Sequence, residues 1–296
     1  MKNSRHVSRH VRLAAAPIAG LALLVAVASS AQAATAVGLG TADTFVVLAG
    51  EGVTNTGATT LSGDLGTSPN PSVTGAADIT FASGTNYADG GPTAQAKLDL
   101  GTAYDNAAGQ GPTIPIAADL VGLTLVPGVY NSASQVSLSG ALTLDAQNDP
   151  NAVWVFQAGS DLIVSSAAVV NLINGAQACN VFWQVGSSAS LGTSASFIGT
   201  IMALTSITLD TGATVQGRVL ARNGTVTLDT NTITRAVCAA PTTPQVTAVP
   251  TGAVATGDGS TSQGITTGKY LLLGVLVVTA AGAMGAVAGM RRKQNT

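Results

Sequence analysis

Ala195-Ser196-Phe197-Ile198-Gly199-Thr200-Ile201-Met202-Ala203 aligns with Ala213-Thr214-Val215-Gln216-Gly217-Arg218-Val219-Leu220-Ala221 at an offset of 18, and Ile207-Thr208-Leu209-Asp210-Thr211 returns as Val226-Thr227-Leu228-Asp229-Thr230 at 19. Phe182-Trp183-Gln184-Val185 with Ala189-Ser190-Leu191 supplies the preceding copy. A short, nearly constant period of this kind marks a solenoid, in which a unit buries its apolar face only by stacking on its neighbours. Eighteen residues divide into three sides of about six residues, or about 20 Å each in extended chain, which predicts an all-β coil of triangular section.

Period-2 alternation then sorts the side chains. Phe197, Gly199, Ile201, Ala203, Ile207 and Leu209 face inward above Val215, Gly217, Val219, Ala221, Val226 and Leu228, whereas Ser196, Thr200, Thr208, Thr214, Arg218 and Thr227 face outward. Two hydroxyl ladders emerge from this register, Ser188, Ser206 and Thr225 in one and Ser190, Thr208 and Thr227 in the other, and they are expected to share a side. Equivalent positions on stacked strands lie about 4.8 Å apart, so such ladders form a regular array. Threonine is stiff at χ1 and loses little freedom on binding, which suits a crystalline or polymeric ligand better than a small molecule. Outward threonine is also common on any exposed strand.

Another side carries Met202 and Leu220 outward and therefore needs a cover. The stretch from Pro92 to Gly109, with Ala96, Leu100, Ala103, Tyr104 and Ala107 on one face, is the convincing helix of the domain and is predicted to provide it. Trp154, Phe156, Phe182 and Trp183 fall at matching places in the coil and read as packing rather than as a sugar-stacking platform.

The ends differ in character from this domain. Lys2, Arg5, Arg9 and Arg12 precede an apolar run closed by Ala31-Gln32-Ala33, the pattern of a secretory signal over residues 1–33. Residues 241–269 are a Pro, Thr, Gly and Ser-rich linker. Tyr270 to Met290 is uncharged and long enough to span a bilayer, and Arg291, Arg292 and Lys293 open a basic tail over 291–296. Either a retained membrane helix or a sorting signal exchanged for a wall bond fits that tail. The expected product is an exported domain, residues 34–240, at the outer face of the membrane or in the wall. In an oxidising compartment Cys179 and Cys238, the two cysteines of the chain, are expected to pair.

Within 34–240 four cations, Lys97, Arg218, Arg222 and Arg235, stand against thirteen carboxylates, a formal charge of −9. That balance argues against a nucleic-acid partner. Both histidines, His6 and His10, lie in the signal, so the mature domain has no histidine for a general base, a Ser-His-Asp triad or a metal cluster. Two-carboxylate chemistry survives a count, but most of the aspartates sit in Gly-, Asn- or Thr-flanked turns, where they accept backbone hydrogen bonds. No catalysis, cofactor or metal is expected, and the domain reads as a monomeric binding module.

Three runs carry a family resemblance: Thr205 through Gly224, Phe45-Val46-Val47-Leu48-Ala49-Gly50 with Val53-Thr54-Asn55-Thr56-Gly57, and Gly63-Asp64-Leu65-Gly66. They resemble the ice-binding-like family of bacteria and fungi. The resemblance covers nearly all of residues 34–238 and implies a discontinuous right-handed β-solenoid with a long helix alongside. It also implies an ice surface as partner. Some members carry Thr-Ala/Gly-x-Thr/Asn on the binding face; Thr56-Gly57-Ala58-Thr59 and Thr211-Gly212-Ala213-Thr214 match, and Thr193-Ser194-Ala195-Ser196 is a degenerate copy. The resemblance thus assigns Thr56, Thr59, Thr211 and Thr214 to ice, with Thr193 and Ser196 beside them, and the Ser188, Ser190, Ser206, Thr208, Thr225 and Thr227 ladders as the alternative face. Ile198 and Gln216 interrupt the side that the motifs introduce. A cell-surface adhesin for a glycan or other extracellular polymer is the competing function.

Overall fold

A computed structural model describes residues 34–239 of the chain; the expected leader, linker, apolar segment and basic tail lie outside the described residues. Every strand pairing within them is parallel, and successive coils stack on three sides. One coil comprises Val181–Val185 on the first side, Ala189–Leu191 on the second and the start of Ser196–Ala203 on the third. That last strand then bends onto the first side of the following coil. Gly199 lies at the bend with φ 113°, where a Cβ would lie 2.7 Å from the Val181 carbonyl oxygen, and its partner one coil on, Gly217, packs so closely over the Gly199 backbone that a Cβ would not fit. The inward residues expected from the repeat, Phe197, Ile201, Ala203, Ile207 and Leu209 with their partners in the next coil, lie in one core. Tyr130, Phe156, Trp183 and Phe197 stack through it, with the Phe156 and Trp183 rings 3.9 Å apart.

Coil order departs from chain order. After the coil that ends in Thr232–Thr234, the next layer comes from the N-terminal part of the chain: Phe45–Ala49 pairs with Thr214–Ala221, Val53–Thr56 with Val226–Asp229, and Thr59–Ser62 with Thr232–Thr234. A further coil, Asp64–Thr67, Val73–Thr74 and Ile79–Ser83, follows. From there the chain must return to the opposite end of the stack, where Ile114–Pro115 pairs with Gly128–Ser132. Helix α1, Thr93–Ala108, makes the return along the first side; at about 1.5 Å per residue it spans about 24 Å, or about five strand spacings.

The outward residues of the first side explain why the helix lies there. Leu48, Val129, Val155, Phe182, Met202 and Leu220 form a second core with Ala96, Leu100, Ala103, Tyr104 and Ala107, as expected. Where that side turns polar, its residues bond to the helix: Gln157 Nε2 donates to the Ala107 carbonyl (2.8 Å) and Gln184 Nε2 to the Tyr104 hydroxyl (2.7 Å). Lys97 Nζ donates to the carbonyls of Ala221 and Arg222.

Thr200 and Arg218 correct the expectation of exposure. Both face away from the inner core, yet they are 0% and 2% exposed. The N-terminal segment covers them, and Arg218 gives Nη2 to the Asp43 carboxylate (2.6 Å) and Nε to the Asp43 carbonyl (2.9 Å). Burial of that cation is tolerable because its donors are partnered. Cys179 and Cys238 form the expected disulfide, Cα atoms 5.4 Å apart. Among the described residues no helix is long and apolar enough to cross a membrane.

Candidate functional site

With the first side under the helix, two sides stay open. On the second side each strand is short, and one outward position recurs on every coil. Reading along the stack in strict register, that position holds Ser137, Ile163, Ser190, Thr208, Thr227, Thr54 and Thr74. Five consecutive hydroxyls therefore line up over about 19 Å at the spacing of neighbouring strands. None of them is buried, and none of these pairings shifts register. Flanking inward residues such as Ile207, Leu209, Val226 and Leu228 anchor the rungs in the core, so the array is held by packing and not by its own contacts.

Ser190, Thr208 and Thr227 are thus the first three rungs of a longer ladder. Thr54 and Thr74 extend it, and the repeat alone did not reveal them because they reach the stack from the N-terminal part of the chain. The Ser188, Ser206 and Thr225 ladder lies elsewhere than expected, at the corner where the first side turns into the second. Its groups serve that corner: the Ser206 and Thr225 amides donate to Ser188 Oγ (3.4 Å) and Ser206 Oγ (3.1 Å), and the Ser188 amide donates to Asp161 Oδ1 (3.0 Å). Hydroxyls that cap backbone donors are structural elements of the coil.

The Thr-Gly-Ala-Thr turns mark the opposite corner, between the second and third sides, and they do not form one array. Ser194, Gly212, Thr230 and Gly57 follow one another there at φ between 53° and 73°, a left-handed turn repeated on each layer. Thr193 and Thr211 are exposed on that corner, and the Thr211 hydroxyl donates to Asp229 Oδ2. Thr56 is exposed at the end of its second-side strand, paired with Asp229. Ser196 and Thr214 are exposed on the third side. Thr59 corrects the motif: it is 1% exposed, faces inward, and accepts from the Asn231 amide (3.1 Å). The register shows the reason, since Thr214 pairs with Thr232 and Thr232 with Thr60, so the residue equivalent to Thr214 is Thr60 and the motif match is displaced by one. A one-residue slip exchanges the two faces of a strand.

The third side continues this pattern less evenly. Ser196, Thr214, Thr232, Thr60 and Thr80 are in register, but the neighbouring column is Ile198, Gln216, Thr234 and Ser62, and the register shifts at Leu61/Ser62. Ser196, Ile198, Thr214, Gln216, Thr232 and Thr234 line a depression of about 310 Å³ there. Compared with it, the second side has shorter and more uniform outward groups, Ile163 excepted.

An uncharged, in-register hydroxyl array on a rigid solenoid of out-of-order coils, with a helix along one side, agrees with what the comparisons find. Residues 47–234 match the family described as Ice-binding-like. The chain belongs to that family. An ice-binding protein of Nostoc sp. (strain HG1) is 47% identical over 210 residues, covering 70% of this chain and 77% of the relative. The crystal structure of an ice-binding protein from an Antarctic biological consortium superposes with a TM-score of 0.67 at 46% identity, over 69% of this chain and 93% of that one. That of an Antarctic ascomycete, Antarctomyces psychrotrophicus, gives 0.65 at 39% identity, over 69% and 100%. The ice-binding-like domain thus accounts for the whole stack of coils. Among its described residues no group of three or more His, Cys, Asp or Glu is placed to hold a metal ion.

Proposed function

We propose that this protein binds ice through the second side, with no catalytic step, and that it does so outside the cell. The observation that carries the reading is the five-rung ladder Ser190, Thr208, Thr227, Thr54 and Thr74, open to solvent and fixed in register by the core beneath it. Each threonine offers a methyl group and a hydroxyl in few rotamers, so a layer of water can be ordered on the surface without ordering the protein first. An ionised group in the same place would hold its own hydration shell and disturb that layer; the carboxylates nearest the ladder stand at its margin, where Asp229 accepts from Thr211 and Thr230. The names carried by the relatives favour ice as the ligand.

The leader at 1–33, the disulfide and the linker with its apolar segment and basic tail support export and retention at the cell surface, by a membrane helix or a wall bond. Glycan adhesion has less in its favour. Trp154, Phe156, Phe182 and Trp183, the aromatic residues that could have stacked on sugar rings, are at most 3% exposed. The decisive experiment is thermal hysteresis and ice-recrystallisation inhibition by the purified protein. Shaped crystals and a freezing-point gap are expected; ordinary crystal growth at high protein concentration would sink the proposal.

A further inference from the structure

The described chain ends where the third side turns into the first, at the corner that faces away from the second side. Its last strand, Thr232–Thr234, is a joint of the stack. It pairs with Thr214, Val215 and Gln216 of the C-terminal coils on one flank and with Thr60, Leu61 and Ser62 of the N-terminal coils on the other. The chain does not go on from there into another coil, because Phe45–Ala49 already occupies the next place on the first side. Residues 235–239 instead run back over the corner. The Arg235 amide donates to the Ser62 carbonyl (3.2 Å), Arg218 Nη2 to the Ala236 carbonyl (3.3 Å) and the Ala239 amide to Gln177 Oε1 (2.7 Å), and the Arg235 guanidinium pairs with Asp43 (3.4 Å). Val237 is 70% exposed and contributes little packing. The one covalent tie of this segment to the stack is the bond from Cys238 to Cys179.

Cys179 is anchored far more firmly than Cys238. It sits in the turn Ala178–Asn180 that leads into Val181–Val185, a strand buried along its whole length and paired on both flanks, with Trp183 in the aromatic stack. We infer that the Cys179–Cys238 bridge is a force clasp: it passes the pull of the surface tether from the end of the domain to Val181–Val185 and keeps that pull off Thr232–Thr234. The inference rests on the proposed ice binding and surface retention, and it adds a mechanical role to a bond whose ordinary effect is to constrain the unfolded chain. A domain fixed to ice on one side and to a cell on the other is loaded along the line between them, and here the chain leaves at the corner opposite the ladder. Forced opening is governed by the rate at which the weakest loaded element gives way, and not by global stability. Without the bridge that element is a strand of three residues. Peeling it would bare Ile233, which is 0% exposed, and would open the third side beside the joint that sets Thr54 next to Thr227. It would stop at Asn231, whose side chain donates to the carbonyls of Asp210 (2.9 Å) and Ala213 (3.1 Å). With the bridge closed, the covalent path turns off at Cys238 before that strand is reached.

Optical tweezers test this on the full chain. Azide-bearing side chains in place of Thr208 on the second side and Ser260 in the linker take DNA handles, so that the pull enters from the linker as it does in the tether. The oxidised chain is compared with one carrying Cys179→Ser and Cys238→Ser. The same oxidised chain reduced in place, where the exposed Cys238 admits a soluble reductant, serves as a second sample in case the serine pair disturbs the fold. Both samples without the bridge should show an added step at low force that lengthens the molecule by up to about 28 Å, the extended length of residues 232–239 at about 3.5 Å each. The oxidised chain should lack that step and open first at higher force. Identical traces with and without the bridge would overturn the clasp and leave ice binding as proposed. Fractionation of expressing cells tests the tether separately: the chain should be found with the membrane or wall, and its complete release into the medium would overturn both the tether and the clasp. Ice shaping by the unloaded protein, with or without the bridge, should be the same.

Discussion

The first and second sides of this solenoid are made by the same coils, yet one is buried on both faces and the other on one. Their difference lies in the outward residues. Leu48, Val155, Phe182, Met202 and Leu220 require a cover on the first side, and α1 supplies Leu100, Ala103 and Ala107 to meet them. Ser190, Thr208, Thr227, Thr54 and Thr74 require none. Burial of both faces gives the first side its stability, and the polar latches through Gln157, Gln184 and Lys97 fix the helix in place. The second side inherits rigidity from the shared core and keeps its outer face free. Stability and recognition are thereby assigned to different sides of one coil.

The largest test of that division breaks the cover. Leu100→Asp places an uncompensated carboxylate where the side chain is 0% exposed, and it should cost about 4 kcal/mol or more, read as a lower urea midpoint. Ice activity should fall only as the folded fraction falls. Removing the disulfide with Cys179→Ser and Cys238→Ser comes next. The bridge spans a sequence separation of 59, and its loss should destabilise by about 2–4 kcal/mol in thermal melts without changing ice affinity in the cold.

On the second side the expectation reverses. Thr208→Tyr should lower thermal hysteresis about tenfold, since a bulky group within the ladder lifts the crystal off its neighbours, while stability changes by about 0.5 kcal/mol or less. A loss of stability as large as that of Leu100→Asp would show that the ladder is structural. The two threonines at the displaced motif sharpen the same contrast. Thr59→Val removes the acceptor of the Asn231 amide and should cost about 1 kcal/mol with unchanged hysteresis. Thr60→Val sits on the open third side and should be nearly neutral in stability.

Those neighbouring threonines also show how far the sequence could be read. The coil, its inward residues, the helix and what it covers were legible, because burial imposes the same residue class at each return of the chain. The disulfide was legible because the chain offers one possible pair of cysteines. The candidate surface was legible only in its first three rungs. Thr54, Thr60, Thr74 and Thr80 lie far in sequence from Thr227 and Thr232, and no period connects them; only the pairing of the N-terminal coils with the C-terminal one does. The Thr59 error came from matching a motif at a corner, where coils differ by a residue. Thr200 and Arg218 were misplaced because alternation fixes a direction and says nothing about what covers it.

The smallest expected effect lies at the latch of the covered side. Burial, with repulsion from Arg222 beside it, brings the Lys97 ammonium from 10.5 down to about 8. Because the folded-state value is below the unfolded one, the unfolded chain binds more protons between about pH 8 and 10.5, and stability should rise with pH in that window. Burial of Tyr104 and Tyr130 raises their phenols above the ordinary 10, which makes ionisation of the unfolded chain oppose folding at still higher pH and confines the test to the lower part of the window. The ammonium also donates to two carbonyls, at 2.7 and 2.6 Å, and keeps part of its hydration, so the rise from pH 7.5 to 9.5 should be about 1 kcal/mol or less. Lys97→Met should flatten the urea midpoint across that range and leave ice shaping unaltered. A wild-type midpoint that does not move would mean that the two carbonyl bonds offset the burial of the charge, and the latch would then be as tight at neutral pH as at alkaline pH.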